Sequence, residues 1–443
     1  VFDTTILGSN PSAPAKIMIK INTKNNFITK IKKLFFPFYK LKELKEIFKI
    51  LEKNQPKNKQ VAMFVGGCVR KHILNEKIDD IDIATIFTPN QIKEKFKNTK
   101  VKVIDTGIHH GTVTLVLKNT KVELTTLRKD IKTDGRHAEV VYTEDWNKDS
   151  QRRDFTINSI YLDKKGNLFD PQLGLTDLKK RIVKFIGDPN ERIEEDYLRI
   201  IRYIRFSLQY KFEENKKTTL EAIKLNVNGI KNISKERMFN ELTKILKLEN
   251  FSYILQFTEL KKIFSIIFPE FKYLDRLEKF KLFKEHKIDL FIEKDLLLSI
   301  LLIDDSNNHE YFCHKYKISN LIKQKLNIIT RAFLEYKLDR NYLGKNLSKN
   351  IYLLGKNEIK NVIIFIFFFN NDIKIKEFEE LIKKIKKIKI PKFPLDGDYL
   401  IEKGFSEGKK IGATLKALEK EWLNNSYQLT DQNISAIIEK FDN

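Results

Sequence analysis

Asp80-Ile81-Asp82 sets two carboxylates two residues apart, in a segment (78–85) where Ile78, Asp80 and Asp82 alternate with Ile81 and Ile83. That alternation predicts a β-strand with one polar face, and residues two apart on a strand point the same way. Carboxylates so close raise each other's cost of ionisation, an expensive arrangement unless divalent cations neutralise it. Two metal ions held there could activate an attacking hydroxyl and stabilise the leaving group of an in-line displacement at phosphorus. A solvated strand face is the other reading of a bare Asp-x-Asp. Asp79, adjacent to the pair, would face the opposite side.

Upstream, Gly66-Gly67 ends a short apolar run at 61–65 and Arg70 follows within a turn. Bare backbone N–H groups and a guanidinium could meet a phosphate together there, although a plain turn before a helix reads the same. The order strand, glycine pair, arginine, strand, acidic pair is more specific than either part. Gly66-Gly67-Cys68-Val69-Arg70 followed by Asp80-Ile81-Asp82-Ile83-Ala84-Thr85 resembles the polymerase-beta-like nucleotidyltransferases, and within them the class II CCA-adding enzymes and bacterial poly(A) polymerases. The family norm is an acid after the arginine, whereas Lys71 stands here, which leaves the support of Arg70 open.

The resemblance continues in order. Arg152-Arg153-Asp154-Phe155-Thr156-Ile157-Asn158 is similar to the family motif that holds the nucleotide; it implies that Arg153 contacts the nucleotide and that Asp154 and Asn158 shape the ribose pocket. Phe169-Asp170-Pro171 through Asp177-Leu178 is similar to the joint between the family's head and neck, and reads equally as a turn with a helix start. In Glu195-Asp196-Tyr197-Leu198-Arg199, with Arg202 and Arg205 beyond, a spacing of three predicts a slanting polar stripe of Asp196, Arg199, Arg202 and Arg205 on one helix. An aspartate and an arginine so placed can read the Watson–Crick edge of a base, the acid accepting from an exocyclic amine that cytosine and adenine both carry. The resemblance implies that Asp196 and Arg199 select CTP and ATP, and that Glu123 supplies a third carboxylate near the metals; a solvent-facing glutamate would look the same. Asn232 to Arg237 resembles the following neck helix, its Ser234 acting as a cap. His109 and His110 lack a third ligand at suitable spacing and indicate no zinc site. No His-Asp dipeptide marks a phosphohydrolase domain.

The elements that must position these residues follow from periodicity. Leu41, Leu44, Ile47, Phe48 and Leu51 predict a helix, and β-branched runs at 101–104, 112–117 and 122–126 predict further strands. Charge is dense and apolar period absent at 128–149, which predicts an irregular mobile loop; its part at 128–139 would reset the pocket between C and A addition. After Asp170-Pro171 helical spacing runs almost to the end. The expected fold class is α+β: an N-terminal extension (1–40), a mixed-sheet nucleotidyltransferase head (41–170), and all-helical neck (171–250), body (251–390) and tail (391–443).

The composition agrees. The 443 residues carry 83 Lys and Arg against 59 acids, a formal charge of +24, which favours a polyanion such as tRNA, although an A- and T-rich genome also inflates lysine. The apolar run at 362–369 is too short for the roughly 20 residues that span a bilayer, and no membrane is expected. Cys68 and Cys313 stand far apart without CxxC spacing, which fits a reducing compartment. Met18 is a candidate start, and the lysine-rich stretch at 16–42 has no arginine and little serine; the cytoplasm is the expected compartment and an organelle the alternative. What the resemblance implies is addition of C, C and A to the 3′ end of tRNA from CTP and ATP, with two Mg²⁺ ions at Asp80 and Asp82, and the triphosphate near Gly66, Gly67, Arg70 and Arg153. The rivals are a poly(A), A-adding or CC-adding enzyme of the same family, and a non-catalytic tRNA-binding protein.

Overall fold

Helix α1 (Lys42–Glu52) buries Leu44, Ile47, Phe48 and Leu51, the stripe that three- and four-residue spacing prescribes. The computed structural model describes residues 37–442 apart from 109–110, 119, 135–136, 212–216, 250, 289, 291, 370–372 and 406–407, so the pair His109 and His110 lies outside the described residues. The chain divides into two compact units, one up to Pro269 and one from Glu270.

In the first unit, β1 (Ala62–Val65) is buried along its whole length and turns through Gly66 into α2 (Gly67–Ile73). Strand β2 (Asp82–Thr85) follows, then α3 (Pro89–Phe96), which Thr88 and Gln91 close with a reciprocal capping box. Strands β3 (Lys102–Gly107), β4 (Thr112–Leu117) and β5 (Thr120–Thr126) complete one side of the sheet. Two short strands, β8 (Tyr161–Leu162) and β9 (Leu168–Phe169), extend the other, in the order β3-β4-β5-β2-β1-β8-β9. Only β2 and β5 pair in parallel; every other neighbour is antiparallel, so the sheet is mixed.

Two expectations change here. Pairing of β2 begins at Asp82, so Asp80 stands just before the strand rather than within it. The stretch expected to be a mobile loop instead forms a separate hairpin of β6 (Arg128–Asp134) and β7 (His137–Tyr142), paired from Arg128↔Tyr142 to Asp134↔His137 with a register shift between Asp130 and Lys132. A two-stranded ribbon outside the main sheet is held by main-chain hydrogen bonds and needs no apolar face, so no period-two pattern announces it. The same stretch ends in α4 (Trp146–Gln151), capped by the Asp145 side chain.

Beyond the sheet the unit is helical. The Asp170 carboxylate accepts from the N–H groups of Gly174 and Leu175, each at 2.8 Å, and so opens α5 (Gly174–Lys179). A Cβ on Gly174 would stand 2.0 Å from the Thr156 carbonyl oxygen, so only glycine fits. Helix α6 (Pro189–Glu195) breaks at Asp196, whose φ of −157° and ψ of 100° are extended, and α7 (Leu198–Tyr210) restarts after it. Helices α8 (Lys217–Asn226), α9 (Lys235–Leu246) and α10 (Thr258–Ile267) finish the unit, with Ser234 capping α9 as its sequence suggests.

The second unit is helical among its described residues. The apolar run sits in the helix Lys356–Phe369, whose residues from Val362 to Phe368 are all buried, with Phe367 stacked on Phe283 and meeting Phe378 at a tilt. Leu400, Phe405 and Leu418 make a smaller core closer to the C-terminus, covered by Phe393 and Ile438. Among the described residues no helix is long and apolar enough to cross a membrane.

Candidate active site

Glycine at 66 lets the chain adopt a φ of +75° at the end of β1, and a Cβ there would lie 3.5 Å from Asp82 Oδ2. The bare glycine turn therefore faces the Asp82 carboxylate. Asp82 is in register with Glu123 across the parallel pair, and the Glu123 N–H donates to the Ile81 carbonyl at 2.9 Å. Burial pushes the Asp82 carboxyl up to about 6, the charges of Glu123 and Asp80 push the same way, and Arg153 and Arg70 partly offset them. Asp80, Asp82 and Glu123 thus share one electrostatic environment, with Asp80 and Glu123 exposed. The Cys68 thiol beneath them donates to the Val65 and Asp82 carbonyls, and burial followed by the Asp82 charge pushes it up to about 12, so it stays protonated.

The residues present fit a divalent cation. The Asp82 carboxylate faces a glycine turn and is repelled by the charges of Glu123 and Asp80, while the nearby guanidinium of Arg153 is committed elsewhere. Among the described residues no three His, Cys, Asp or Glu side chains are grouped closely enough to hold a metal ion between them. One or two protein carboxylates completed by water and phosphate oxygens is the coordination that Mg²⁺ favours.

Lys71 ion-pairs with exposed Asp79 at 2.8 Å, which ties the third aspartate of the run away from its neighbours. Arg70, only 4% exposed, takes its support from the helical region instead. Its Nε donates to Tyr210 Oη at 2.6 Å, its guanidinium lies 4.7 Å from the Phe206 ring centre, and it donates to Asn158 Oδ1. From there the polar chain runs on: Asn158 Nδ2 donates to Asp154 at 2.9 Å, Arg202 pairs with Asp154 at 2.7 Å, and Glu241 of α9 holds Arg205 at 2.8 Å and Arg202 at 3.5 Å. Glu241 is 3% exposed; burial alone would raise its carboxyl, but Arg205 and Arg202 outweigh this and lower it to about 2. Arg202 likewise overrides burial at Asp154 and holds it well below the ordinary carboxylate range. Five of the residues singled out from sequence, Arg70, Asp154, Asn158, Arg202 and Arg205, therefore belong to one network.

Arg153 belongs to another. Its Nε and one terminal nitrogen donate to Asp149 Oδ2 at 3.2 and 2.9 Å, Tyr161 Oη donates to the same oxygen at 2.7 Å, and Arg152 takes the other carboxylate oxygen. Asp149 is wholly buried, and Arg153 and Arg152 overcome the burial cost to keep it ionised. Sequence reasoning missed Asp149, although its place three and four residues before the arginines is the helical ion-pair spacing.

The expected stripe is the third correction. Arg199, Arg202 and Arg205 share α7, but Asp196 stands in the extended break before it rather than on the helix, though its charge still reaches Arg202. Asp196 accepts from Arg237 of α9 at 2.7 Å and from the Leu198 N–H at 3.1 Å. Arg199, 9% exposed, donates to Glu195 at 2.7 Å and to the Arg192 carbonyl at 2.6 Å. Asp196 and Arg199 are close in the chain yet held by different partners. Arg237 was read only as the end of a capped helix start and Glu241 was not singled out, since their partners Asp196 and Arg205 lie far away in the chain. Gly229 backs the same corner, since a Cβ there would lie 2.0 Å from the Tyr197 ring.

A mixed sheet that presents an acidic pair to a glycine turn, followed by helices that supply buried arginines, defines a nucleotidyltransferase head with its helical extension. Residues 62–184 match the family model described as "Poly A polymerase head domain", and 216–284 match "Probable RNA and SrmB-binding site of polymerase A". The chain is 34% identical over 414 residues to the human protein named CCA tRNA nucleotidyltransferase 1, mitochondrial, covering 90% of each. It is 36% identical over 318 residues to a CCA-adding enzyme of Staphylococcus haemolyticus, covering 71% of this chain and 75% of that one. The fold resembles that of the Bacillus stearothermophilus CCA-adding enzyme in complex with CTP, with a TM-score of 0.68, 23% identity, and 90% and 96% of the two chains covered. The Thermotoga maritima CCA-adding enzyme complexed with tRNA gives a TM-score of 0.61 at 22% identity, covering 93% and 98%. The chain belongs to the family of CCA-adding tRNA nucleotidyltransferases.

Proposed function

We propose that this chain completes the 3′ end of tRNA by adding C, C and A from CTP and ATP without a nucleic-acid template. The observation that carries this reading is the seating of Asp82, in register with Glu123, against the Gly66 turn in the same unit as Asp196 and Arg199. The relatives solved with CTP, with ATP and with tRNA support it. Asp80 and Asp82, with Glu123 beside them, would hold two Mg²⁺ ions, which when bound supply Lewis-acid activation of the attacking 3′ hydroxyl and neutralisation of the leaving pyrophosphate. The Gly66 and Gly67 backbone leaves room for the triphosphate. Arg153 and Arg70 are the cations whose charge Asp82 feels, the first fixed by Asp149 and the second by Tyr210 and Asn158. Asp154 and Asn158 form the ribose side of the pocket, and Arg202 and Arg205 brace it through Glu241. Asp196 accepts from the exocyclic amine shared by cytosine and adenine, and Arg199 donates to the ring acceptors.

In this reading the head comprises 41–170, the neck 171–250, the body 251–390 and the tail 391–443, and the β6–β7 hairpin is the element whose movement resets the pocket between the C and A steps. The cytoplasm is the proposed compartment, supported by two buried free cysteines; the mitochondrial names of relatives make the organelle the outcome against it in a fractionation experiment. Incubating the protein with tRNA that lacks CCA and with each nucleotide in turn tests the activity. Incorporation of two C and then one A is expected. Long A tails without use of CTP, the activity that the head-domain family name suggests, would overturn the choice of product.

A further inference from the structure

The segment that carries Arg152 and Arg153 is fastened to the start of the neck. Phe155 bridges Phe185, the Thr156 N–H donates to the Lys184 carbonyl at 3.0 Å, and the Ile186 N–H donates to the Asp154 carbonyl at 3.2 Å. Asp188 then caps α6, and Arg192 stands in the first turn of that helix. One terminal nitrogen of Arg192 donates to the carbonyls of Arg152 and Arg153, at 2.5 and 2.9 Å, while the other donates to Glu195 Oε2. The same Glu195 oxygen accepts from Arg199 at 2.7 Å, and that nitrogen of Arg199 also donates to the Arg192 carbonyl at 2.6 Å. The main chain of Arg153 and the side chain of Arg199 therefore share one intermediary, a forked guanidinium that serves two carbonyls and a carboxylate at once.

We infer that Arg192 is a positioning residue for nucleotide selection, which fixes Arg199 at the base relative to Arg153 at the triphosphate, so that a base mismatched to Arg199 leaves its triphosphate out of line for Arg153. The inference rests on the roles given to Arg153 and Arg199 above. Arg199 is suited to its part, because its contacts among the described residues use one terminal nitrogen and leave Nε and the other for a ligand. The position is also an unfavourable one for a cation. Burial, then the charge of Arg199, hold Arg192 below the ordinary arginine range, Glu195 offsets part of this, and Arg192 Nε is buried without a partner among the described residues. The open carbonyls at the end of α4 could be satisfied by a simpler donor. What the fork adds is the link onward through Glu195 to Arg199.

The test uses the full chain, tRNA lacking CCA, and CTP, ATP and UTP assayed singly. Arg192→Met removes all three contacts; kcat/KM for CTP and ATP is expected to fall about ten- to a hundredfold, as a misplacement of about 1 Å within a site can cause, with the KM for tRNA within about twofold of native. The preference for CTP over UTP should fall about tenfold, since the donors that read the base are no longer held in place. Arg192→Lys guards against a fold that fails without a cation at the end of α4. Its single nitrogen can serve the two carbonyls but not Glu195 as well, so it should keep the native urea midpoint and still lose preference for CTP. A lysine variant that matches the parent in selectivity makes Arg192 a cap of α4 and overturns the inference, as does Arg192→Met with native kcat/KM for CTP. Losses that fall equally on the KM for tRNA and on the urea midpoint of the lysine variant do the same. A parent that adds neither C nor A to tRNA overturns instead the reading beneath.

Discussion

Arg237 donates to Asp196 at 2.7 Å, a contact between α9 and the break that precedes α7, across 41 positions of sequence. The acid proposed to read the base is thus held by a guanidinium from another helix. Exchanging Arg237 for Met keeps the length of the side chain and removes the donor. The expected result is a fall of about ten- to a hundredfold in kcat/KM for CTP and ATP, with UTP and GTP misincorporation rising and the KM for tRNA little changed. Single-nucleotide incorporation with all four triphosphates measures this. Unaltered discrimination would show that Arg237 serves stability only.

Glu241 offers a pH signature. Its carboxyl is lowered in the folded protein to about 2, so the unfolded chain binds the proton more readily and the ion pairs stabilise the fold above an ordinary glutamate's range. That contribution is fully present above about pH 4.5 and is lost as pH falls toward 2. Glu241→Gln should cost about 2–3 kcal/mol at pH 7, and the gap from the native protein should narrow steadily as the pH is lowered below 4.5. Urea unfolding at a series of pH values reads the difference; a gap independent of pH in that window would rule out the ionic account.

Asp149 tests a buried charge without titration. It is wholly buried and holds Arg152 and Arg153, so Asp149→Ala leaves two cations without their carboxylate. A loss of about 3–5 kcal/mol is expected. Asp149→Asn, which retains an acceptor for Tyr161, should lose less stability but still raise the KM for CTP, because Arg153 would no longer be fixed. An Asn variant with native nucleotide affinity would detach Asp149 from nucleotide binding.

The contrast between what sequence revealed and what it hid has a physical basis. The acidic pair, the glycine turn and the Arg-Arg-Asp segment were legible because each is a run of residues adjacent in the chain, although Asp154 itself acts through Arg202, 48 positions away. The helical character after Asp170 was legible because burial of one helix face leaves a period. Arg237 and Glu241 were hidden because their partners, Asp196 and Arg205, lie 41 and 36 residues away, and nothing local marks such a contact. The stripe that placed Asp196 with Arg199 failed because a helical reading has no sign for the one extended residue that ends α6. Lys71, which seemed to deprive Arg70 of support, pairs with Asp79, while Tyr210 and Phe206 of α7 supply what a local acid does elsewhere.

The metal assignment yields the sharpest separation between neighbours. Asp82 faces the glycine turn and shares its field with Glu123, whereas Asp79, three residues earlier, is exposed and ion-paired with Lys71. Asp82→Asn should abolish CMP incorporation, a drop of at least a thousandfold, while leaving the Kd for tRNA within about twofold, because carboxylates repel RNA phosphates and serve the metal ions rather than the tRNA body. Asp79→Asn breaks only an exposed pair worth about 0–1 kcal/mol and should keep near-native turnover. The two variants, assayed side by side for incorporation and for filter binding of tRNA, decide which aspartates of the run do chemistry. If Asp82→Asn retained full activity, or if Asp79→Asn lost it, the metal would have to be reassigned within the run.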